Sequence, residues 1–332
     1  MQINKPNLFD APEEYPQLGD VSVLYQYFET FCRVVDEGSF TSAAESLGLS
    51  QPTVTKHVHA LEKRMGATLL HRGQRRLELT PAGEIVYNYA RRILRAVHDC
   101  QSAIQALSEP GHGELSIGAV FTIALFTLPP VLEVYRQERP QVTLRVRTGT
   151  NQHILSLVLH HEVDVGLTTV PLSHPQISTI PLFNDRVLLV ASPNSQWASK
   201  KAVTPGELSQ LPMISYQRHS QFQSFVQANF EGAGITPRVV MEFDSHEAVK
   251  TMVQLGLGVA MVPESAVRDD LASGRLVELT IKDFPSLART TSLITRQDRH
   301  ETPAIASFRA LLIRLLQEPR FRNVRIRLTE PD

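Results

Sequence analysis

The sequence of 332 residues has few of the features that mark membrane proteins or disulfide-bonded secreted proteins. Its only cysteines are Cys32 and Cys100, so neither a disulfide framework nor a multi-cysteine zinc site is expected, and both thiols are predicted to be reduced core residues. No apolar run approaches the ~20 residues that span a bilayer. The first twenty residues lack the basic start and apolar stretch of a secretory signal, which favours a cytoplasmic protein with no membrane partner.

Patterns typical of enzymes are also missing. The twelve histidines include no H-E-x-x-H, no close cysteine–histidine cluster occurs, and there is no G-x-S-x-G. The pair Gly256 and Gly258 lacks the third glycine of a dinucleotide-binding loop. We therefore expect no catalytic residues, no metal, no cofactor and no enzymatic activity.

The charge of the chain is unevenly distributed. Residues 41–98 contain nine basic and four acidic residues, a net charge of +5 that leaves −6 for the rest, because the whole chain carries −1. A basic segment joined to an acidic body is typical of a protein in which one part meets phosphate. Taken alone, this composition fits a solvated basic surface equally well. The length predicts two or three domains.

Helical periodicity and capping signals dominate the N-terminal third. Apolar residues from Leu24 to Val35 recur at three- and four-residue steps, which predicts a helix that ends near Gly38. Ser39 or Thr41 can cap a short second helix that ends at Gly48. Ser50 can cap a third helix, with Pro52 in its first turn. A short helix, a glycine turn and another helix are the pattern of a helix-turn-helix.

The polar face of the third helix carries the first candidate site. Recognition helices present side chains near their N-terminal end to base edges in the DNA major groove. A solvated face with no binding role is the alternative. The predicted DNA-contacting residues of the helix-turn-helix are Ser39, Thr41, Ser50, Gln51, Pro52, Thr53, Lys56 and His57.

A second basic feature follows the third helix. Leu77 and Leu79 alternate with polar residues after a turn at Gly73, which predicts a short two-stranded wing. Arg72, Arg75 and Arg76 lie on this wing, where arginines suit contact with phosphate or the minor groove.

These segments resemble the DNA-binding domain of LysR-type transcriptional regulators. The resemblance rests on A-A-E-S-L-G-L-S-Q-P-T-V-T-K-H-V-H-A-L-E-K-R-M-G-A-T-L-L-H-R followed by L-T-P-A-G-E, and it covers roughly residues 24–93. Two departures, Leu70 for the usual phenylalanine and Thr55-Lys56 for serine-arginine, concern base preference. The resemblance implies a winged helix-turn-helix at 21–81 that binds double-stranded DNA at a pseudo-palindromic operator, with RNA polymerase as a further candidate partner.

A long helix follows Pro81, and no helix-breaking residue occurs before Pro110. Its apolar stripe needs a partner surface, and the alternative is a helix folded back on its own domain. In the resembled family this segment, here 82–109, is the linker helix that pairs with a second subunit of a homodimer or homotetramer. The predicted dimerisation residues are Ile85, Tyr89, Ile93, Val97 and Ile104.

The rest of the chain alternates short apolar runs with amphipathic helices, which predicts an α/β fold with a mostly parallel sheet. Chain crossings near Val187 and Leu293 predict two lobes, one of residues 113–187 and 289–317 and the other of 188–288. Resemblance to the LysR effector domain, and hence to type-two periplasmic binding proteins, extends this to a bilobal effector domain at 113–317. Residues 1–20 and 318–332 are predicted arms, although the tail's alternation also fits an edge strand.

A small-molecule effector is expected in the cleft between the lobes. Strand-to-helix turns point free N–H groups and hydroxyls at an anionic ligand. This selects Thr122, Thr150, Gln217 and Ser220, with Phe121 as an apolar wall, although each polar residue could instead be a simple helix cap. Two other functions were weighed against this one: a transport-associated binding protein would need a secretion signal, and a winged regulator without effector would lack the second lobe.

Overall fold

The structure is a computed structural model that describes residues 21–71, 77–108, 112–170, 172–200, 202–217, 220–299 and 301–316. The chain forms two compact units, and their boundary follows Ile104. No helix within these ranges is both long and apolar enough to cross a membrane. The predicted arms at 1–20 and 318–332 lie outside the described residues.

The N-terminal unit is built from helices and one small strand pair. The strands β1 (Leu70–His71) and β2 (Glu78–Leu79) pair antiparallel, with Leu70 opposite Leu79. These two strands are the predicted wing, and the residues that join them lie outside the described ranges. The elements are α1 (Val21–Glu37), α2 (Phe40–Leu47), α3 (Gln51–Met65), β1 (Leu70–His71), β2 (Glu78–Leu79) and α4 (Pro81–Ser108).

Local capping chemistry fixes the ends of α2 and α3. The Ser39 hydroxyl accepts a hydrogen bond from Ser42 N at 3.3 Å, so Ser39 and not Thr41 is the cap of α2. Gly48 adopts a left-handed conformation with φ of 65°, which a residue with a side chain rarely adopts, and ends α2. The Ser50 hydroxyl accepts from Thr53 N at 3.3 Å and begins α3. These contacts confirm the predicted helix-turn-helix.

The apolar faces of α1 and α3 meet in the core of this unit. Phe31 and Val34 of α1 are fully buried, as are Val54, Val58 and Leu61 of α3. All five belong to one cluster, so the three- and four-residue spacing read from the sequence corresponds to the buried faces. This packing fixes α3 against α1.

The C-terminal unit is an α/β structure. One π-helical turn (Ile123–Thr127) leads into its first long helix, and a 3-10 turn (Ala198–Lys200) precedes the short strand β7 (Ala202–Val203). The strands of the first half are β3 (Gly113–Val120), β4 (Val142–Gly149), β5 (Val165–Thr168) and β6 (Ile177–Ala191). The later strands are β7 (Ala202–Val203), β8 (Pro212–Tyr216), β9 (Arg238–Phe243), β10 (Ala260–Pro263), β11 (Val277–Ile281) and β12 (Leu287–Arg296). The helices are α5 (Leu128–Glu138), α6 (Asn151–Leu159), α7 (Pro205–Leu208), α8 (Gln221–Gly232), α9 (His246–Gln254), α10 (Glu264–Ala272) and α11 (Pro303–Leu316).

The sheet is mixed, which corrects the expectation of a mostly parallel sheet. Strand β3 pairs parallel with β4 and β5, as strand–helix alternation predicts. However, β6 and β12 pair antiparallel with each other over ten positions, and β5, β10 and β11 join them antiparallel. The reason is that β6 and β12 lie side by side in the middle of the sheet and run in opposite directions. A sheet that contains both strands cannot be wholly parallel.

Two separate hydrophobic cores flank this strand pair. The first contains residues from Leu115 to Phe183 and from Leu293 to Leu316. The second contains residues from Val187 to Leu287. Each core has its own helices, so the C-terminal unit has two lobes that share β6 and β12. Val187, which the sequence analysis placed last in the first lobe, packs in the second core.

Candidate functional sites

The exposed face at the start of α3 is the first candidate site. Gln51, Pro52 and Lys56 are exposed, and Thr41 of α2 is exposed as well. The Gln51 amide donates to Thr55 Oγ1 at 3.1 Å, which holds the side chain along the helix. These side chains are accessible at the end of the helix where base contacts are expected.

The serine and threonine residues that were predicted to contact DNA also form hydrogen bonds within the protein. Ser50 Oγ lies 2.7 Å from Thr53 Oγ1, in addition to its capping bond. Ser39 caps α2 and is half-buried. Ser50 is exposed and Thr53 half-buried, so capping and an outward contact are compatible at these positions.

His57 is directed toward α1. Its Nδ1 lies 2.9 Å from the hydroxyl of Thr30, and its ring is 5.0 Å from the ring of Tyr27. Thr30 is buried and its hydroxyl also donates to the carbonyl of Gln26 at 2.8 Å. Because that hydroxyl proton is used, His57 Nδ1–H donates to Thr30. The histidine therefore ties α3 to α1, a role that the sequence analysis did not assign.

The three predicted wing arginines, Arg72, Arg75 and Arg76, lie outside the described residues. Their assignment to phosphate contact stays a prediction from the sequence.

The predicted dimerisation stripe on α4 is exposed. Arg92 lies over the ring of Tyr89 at 5.6 Å. Cys100 is also exposed, which corrects the expectation of two buried thiols, whereas Cys32 is buried in the α1 core. The exposed fractions are 60% for Ile85, 58% for Tyr89, 43% for Ile93, 37% for Val97 and 59% for Ile104. Large apolar side chains repeated along one helix at this exposure are typical of a surface that a second chain covers.

The second candidate site is a cavity of about 550 Å³ between the two lobes. Its first-lobe walls come from the ends of β3, β4 and β5, and its second-lobe walls from the starts of α8 and α9. All five predicted effector residues line it: Phe121, Thr122, Thr150, Gln217 and Ser220.

The predicted polar residues differ in their local bonding. Thr150 Oγ1 accepts from His153 N at 3.2 Å, so it caps α6 as well as lining the cavity. Thr122 is buried and directly precedes the π-helical turn that begins at Ile123, as predicted, but its side chain makes no capping bond. Ser220 precedes α8 in extended conformation, also without a side-chain capping bond. Gln217 is exposed.

The sequence analysis missed the charged group of this cavity. Arg289 of β12 lines the cavity and is only 7% exposed. Its guanidinium carbon lies 4.6 Å above the ring centre of Phe222. Among the described residues, neither Nε nor Nη2 of Arg289 has a hydrogen-bond partner. Burial lowers the pKa of Arg289, while Asp185 opposes that shift. A guanidinium group stays protonated in proteins, so Arg289 carries a positive charge.

A hydrogen bond connects the two lobes across the cavity. Asn151 of α6 donates to Gln221 Oε1 of α8 at 2.6 Å. Asn151 also accepts from Thr169 N at 2.8 Å, which fixes its amide against β5. The first residues of one helix from each lobe are thereby joined directly.

His246 contributes a neutral polar group. Its Nδ1 lies 2.8 Å from the Tyr216 hydroxyl, and its ring packs 4.6 Å from the Tyr216 ring. Burial, and secondly Arg289, lower the pKa of His246 to about 4, so the imidazole is uncharged near neutral pH. Of the lining residues that the structure describes, Arg289 and the exposed Asp244 carry charge.

A two-residue periodicity could have identified Arg289. Leu287, Thr291 and Leu293 share its strand face and are buried. An arginine on the buried face of an otherwise apolar strand is uncommon unless it pairs with an anionic group. Asn151 and Gln221 gave no comparable signal, because their contact joins residues 70 positions apart.

Within the described residues, no three histidine, cysteine, aspartate or glutamate side chains form a group that could hold a metal ion. The polar side chains that line the cavity are hydroxyls, amides, the imidazole of His246, the carboxylate of Asp244 and the guanidinium of Arg289.

Two family models match the chain. The model "Bacterial regulatory helix-turn-helix protein, lysR family" matches residues 25–84. The model "LysR substrate binding domain" matches residues 108–317. The first match lies in the N-terminal unit, and the second spans most of the C-terminal unit.

Curated relatives and solved structures agree with these matches. A "Probable RuBisCO transcriptional regulator" of Thalassiosira pseudonana is 32% identical over 293 residues, covering 85% of this chain and 94% of the relative. The regulator CysL of Bacillus subtilis is 29% identical, covering 81% and 90%. A full-length OxyR variant from Pseudomonas aeruginosa has a TM-score of 0.70 at 22% identity, covering 92% and 98%. CbnR bound to its target DNA has a TM-score of 0.60 at 24% identity, covering 87% and 99%. The two solved structures share the fold.

The contact between His57 and Thr30 generates a stability prediction. His57→Ala and Thr30→Val should each destabilise the N-terminal unit, and their effects should be non-additive, with a coupling of about 0.5–1.5 kcal/mol for one lost hydrogen bond. Urea unfolding of the two single variants and the double variant measures this coupling. His59→Ala, on the exposed side of the same helix, is the control and should show no coupling to Thr30→Val. Additive losses from His57 and Thr30 would contradict the contact.

Proposed function

Because the chain belongs to the LysR family of transcriptional regulators, we propose that a small anionic effector binds between the two lobes and controls its action at a pseudo-palindromic DNA operator. A DNA-binding domain and an effector-binding domain are family properties, and the members are regulators and not enzymes. The anionic character of the effector, the residues that bind it and the residues that read DNA are the proposed part. RNA polymerase contact stays a prediction.

The observation that carries the proposal is the buried guanidinium of Arg289. A charged group with unpartnered N–H groups inside a protein costs free energy unless an anion or acceptor meets it. Arg289 lines the cavity, and Nε and Nη2 have no hydrogen-bond partner among the described residues. A carboxylate or other oxyanion would supply the acceptors, because such groups form charge-assisted bonds with guanidinium.

Helix N-termini support the same charge preference. The first residues of α6, α8 and α9 line the cavity: Asn151, Gln221 and His246. The N-terminal end of a helix carries a partial positive charge and free N–H groups, which favours anions. With His246 uncharged, Arg289 supplies the buried positive charge among the described lining residues. Phe121 and Phe225 would contact the apolar part of the effector.

In the DNA complex, we propose that Gln51 and Lys56 contact base edges, whereas His57 holds α3 against α1. Gln51 and Lys56 are exposed at the N-terminal end of α3, whereas His57 bonds to α1. Glutamine can pair with adenine through two hydrogen bonds, and lysine with guanine acceptors. The exposed stripe on α4 would join two chains, so that two recognition helices meet two half-sites.

Gln51→Ala should lower affinity for the cognate site by about 1–3 kcal/mol, because one base-specific contact is lost. Affinity for random DNA should change little. A cognate duplex selected from a random pool and a scrambled duplex of equal length, titrated at one salt concentration, provide the comparison. Equal losses on both duplexes would place Gln51 among the phosphate contacts.

Ile93→Asp should dissociate the oligomer, since it places a charge in the centre of an apolar seam. Light scattering measures the mass of the oligomer. The dissociated chain should also bind DNA more weakly, because it contacts only one half-site. Asn88→Asp, at an exposed position off the stripe on the same helix, is the matched control. An unchanged mass for Ile93→Asp would leave the C-terminal units as the contact between chains.

Arg289→Gln should weaken anion binding by about 10- to 100-fold, as expected for loss of a charge-assisted hydrogen bond of ~1.5–3 kcal/mol. Sulfate and benzoate, titrated calorimetrically into the full chain at constant ionic strength, are suitable probes. Arg296→Gln removes a buried arginine of the same strand that pairs with Asp298, and it should leave anion affinity unchanged.

Thr150→Val tests the helix N-terminus separately. This variant should bind the same anions several-fold more weakly and keep its anion-free DNA affinity, since Thr150 lies outside the N-terminal unit. Full anion affinity in Arg289→Gln would contradict the proposed anion site, and full affinity in Thr150→Val would remove only the helix N-terminus from it.

A further inference from the structure

The buried Arg289 forms an ion pair with a carboxylate of the same unit, that of Asp185. Asp185 of β6 is directly opposite Arg289 of β12 in the antiparallel pairing. Asp185 is 3% exposed, and its Oδ2 lies 3.8 Å from Arg289 Nη2. This distance brings the charges together but is too long for a hydrogen bond. Arg289 lines the cavity and Asp185 does not, so the positive end of the pair is the one that faces a ligand.

Both Asp185 oxygens are occupied by another residue. Oδ1 accepts from Ser265 N at 3.0 Å, and Oδ2 accepts from Ser265 Oγ at 2.7 Å. Ser265 lies in the first turn of α10, so Asp185 also neutralises that helix N-terminus. Ser265 thereby holds the carboxylate away from Arg289. As a result, Arg289 has a counter-charge while Nε and Nη2 stay without hydrogen-bond acceptors.

An anion in the cavity is attracted by the buried Arg289 and repelled by Asp185, which lies behind Arg289 as seen from the cavity. The carboxylate of Asp244 also lines the cavity, but it is exposed, so solvent screens its charge more strongly. Burial raises the pKa of Asp185, and the bonds from Ser265 and the positive charges of Arg289 and Arg268 oppose that shift by stabilising the carboxylate. Two unit charges separated by a few ångströms in a protein interior interact strongly enough to change an equilibrium constant by an order of magnitude or more.

Building on the proposed function, we infer that Asp185 is an internal counter-anion that competes with the effector for Arg289 and so sets the affinity of the cleft for anions. Ser265 limits this competition by holding both carboxylate oxygens. Asp185 is thus a positioning residue and an affinity-determining one, although it does not itself line the cavity.

Two substitutions have opposite expected effects. Asp185→Asn keeps the shape and can keep both bonds to Ser265, but it removes the negative charge, so anions should bind at least about ten-fold more tightly. Ser265→Ala removes the hydroxyl bond and lets Oδ2 approach Arg289, so anions should bind several-fold more weakly. A purely structural role for Asp185 would give weaker binding in both variants.

The experiment measures sulfate and benzoate dissociation constants by calorimetry with the full chain at constant pH and ionic strength. Asp164→Asn is the matched control, because Asp164 is 1% exposed and pairs with Arg299 but does not line the cavity. This control should leave both constants within two-fold of the wild type, an estimate for sites that share no partners. Asp185→Asn combined with Arg289→Gln should lose the gain in affinity.

The outcomes separate this inference from the proposed function. If Arg289→Gln abolishes binding but Asp185→Asn binds no more tightly than the wild type, the inference is wrong and the anion site stands. If neither probe binds the wild type or Asp185→Asn, or if Arg289→Gln binds normally, the anion site and the inference both fail. Should Asp185→Asn not fold, Ser265→Ala decides, since unchanged or tighter binding by that variant contradicts the competition.

Discussion

The antiparallel pairing of β6 and β12 is the constraint on which the C-terminal unit depends. These strands pair over ten positions and provide backbone partners for β5, β10 and β11. Each lobe buries its own apolar core on one part of this pair. Because both lobes share the same two strands, a movement of one lobe relative to the other must bend or twist this connection, whose hydrogen bonds hold its ends in register. Residues on these strands between Phe183 of the first core and Val187 of the second are therefore next to both lobes.

Arg289 and Asp185 occupy that position, which explains why a charged pair is buried there. The strand register places them opposite each other, and the cavity between the lobes provides a polar environment on one side. Across the same cavity, Asn151 and Gln221 link the first turns of α6 and α8. A ligand that contacts Arg289 and these helix starts would interact with both lobes and with the strands that join them. Such a ligand can favour one lobe arrangement by the difference in its affinity for the two.

How much of this was predictable depends on whether the determining contacts are local. Ser39, Gly48 and Ser50 determine helix ends through bonds to residues within five positions, so their roles follow from the sequence. The five predicted cavity residues were found because they stand at strand-to-helix turns, a feature of the local pattern. The mixed sheet was not predicted, since it depends on the pairing of β6 with a strand about a hundred residues later. The His57–Thr30 bond and the partners of Arg289 depend on packing in the same way.

The two candidate sites hold their polar groups in different states before any partner binds. On α3, the side chain of Gln51 bonds to Thr55 and that of Ser50 bonds to Thr53. Both hydrogen bonds are exposed, so water can replace either one at little cost in free energy. In the cleft, Arg289 is buried and two of its nitrogens lack acceptors among the described residues, so a ligand that supplies acceptors there is stabilised. DNA affinity would then depend on shape and charge already present on the surface. Effector binding would instead supply the missing acceptors, and this gain exists only in lobe arrangements that bring the ligand to Arg289. A difference in affinity between arrangements is the physical requirement for a ligand to act as a switch.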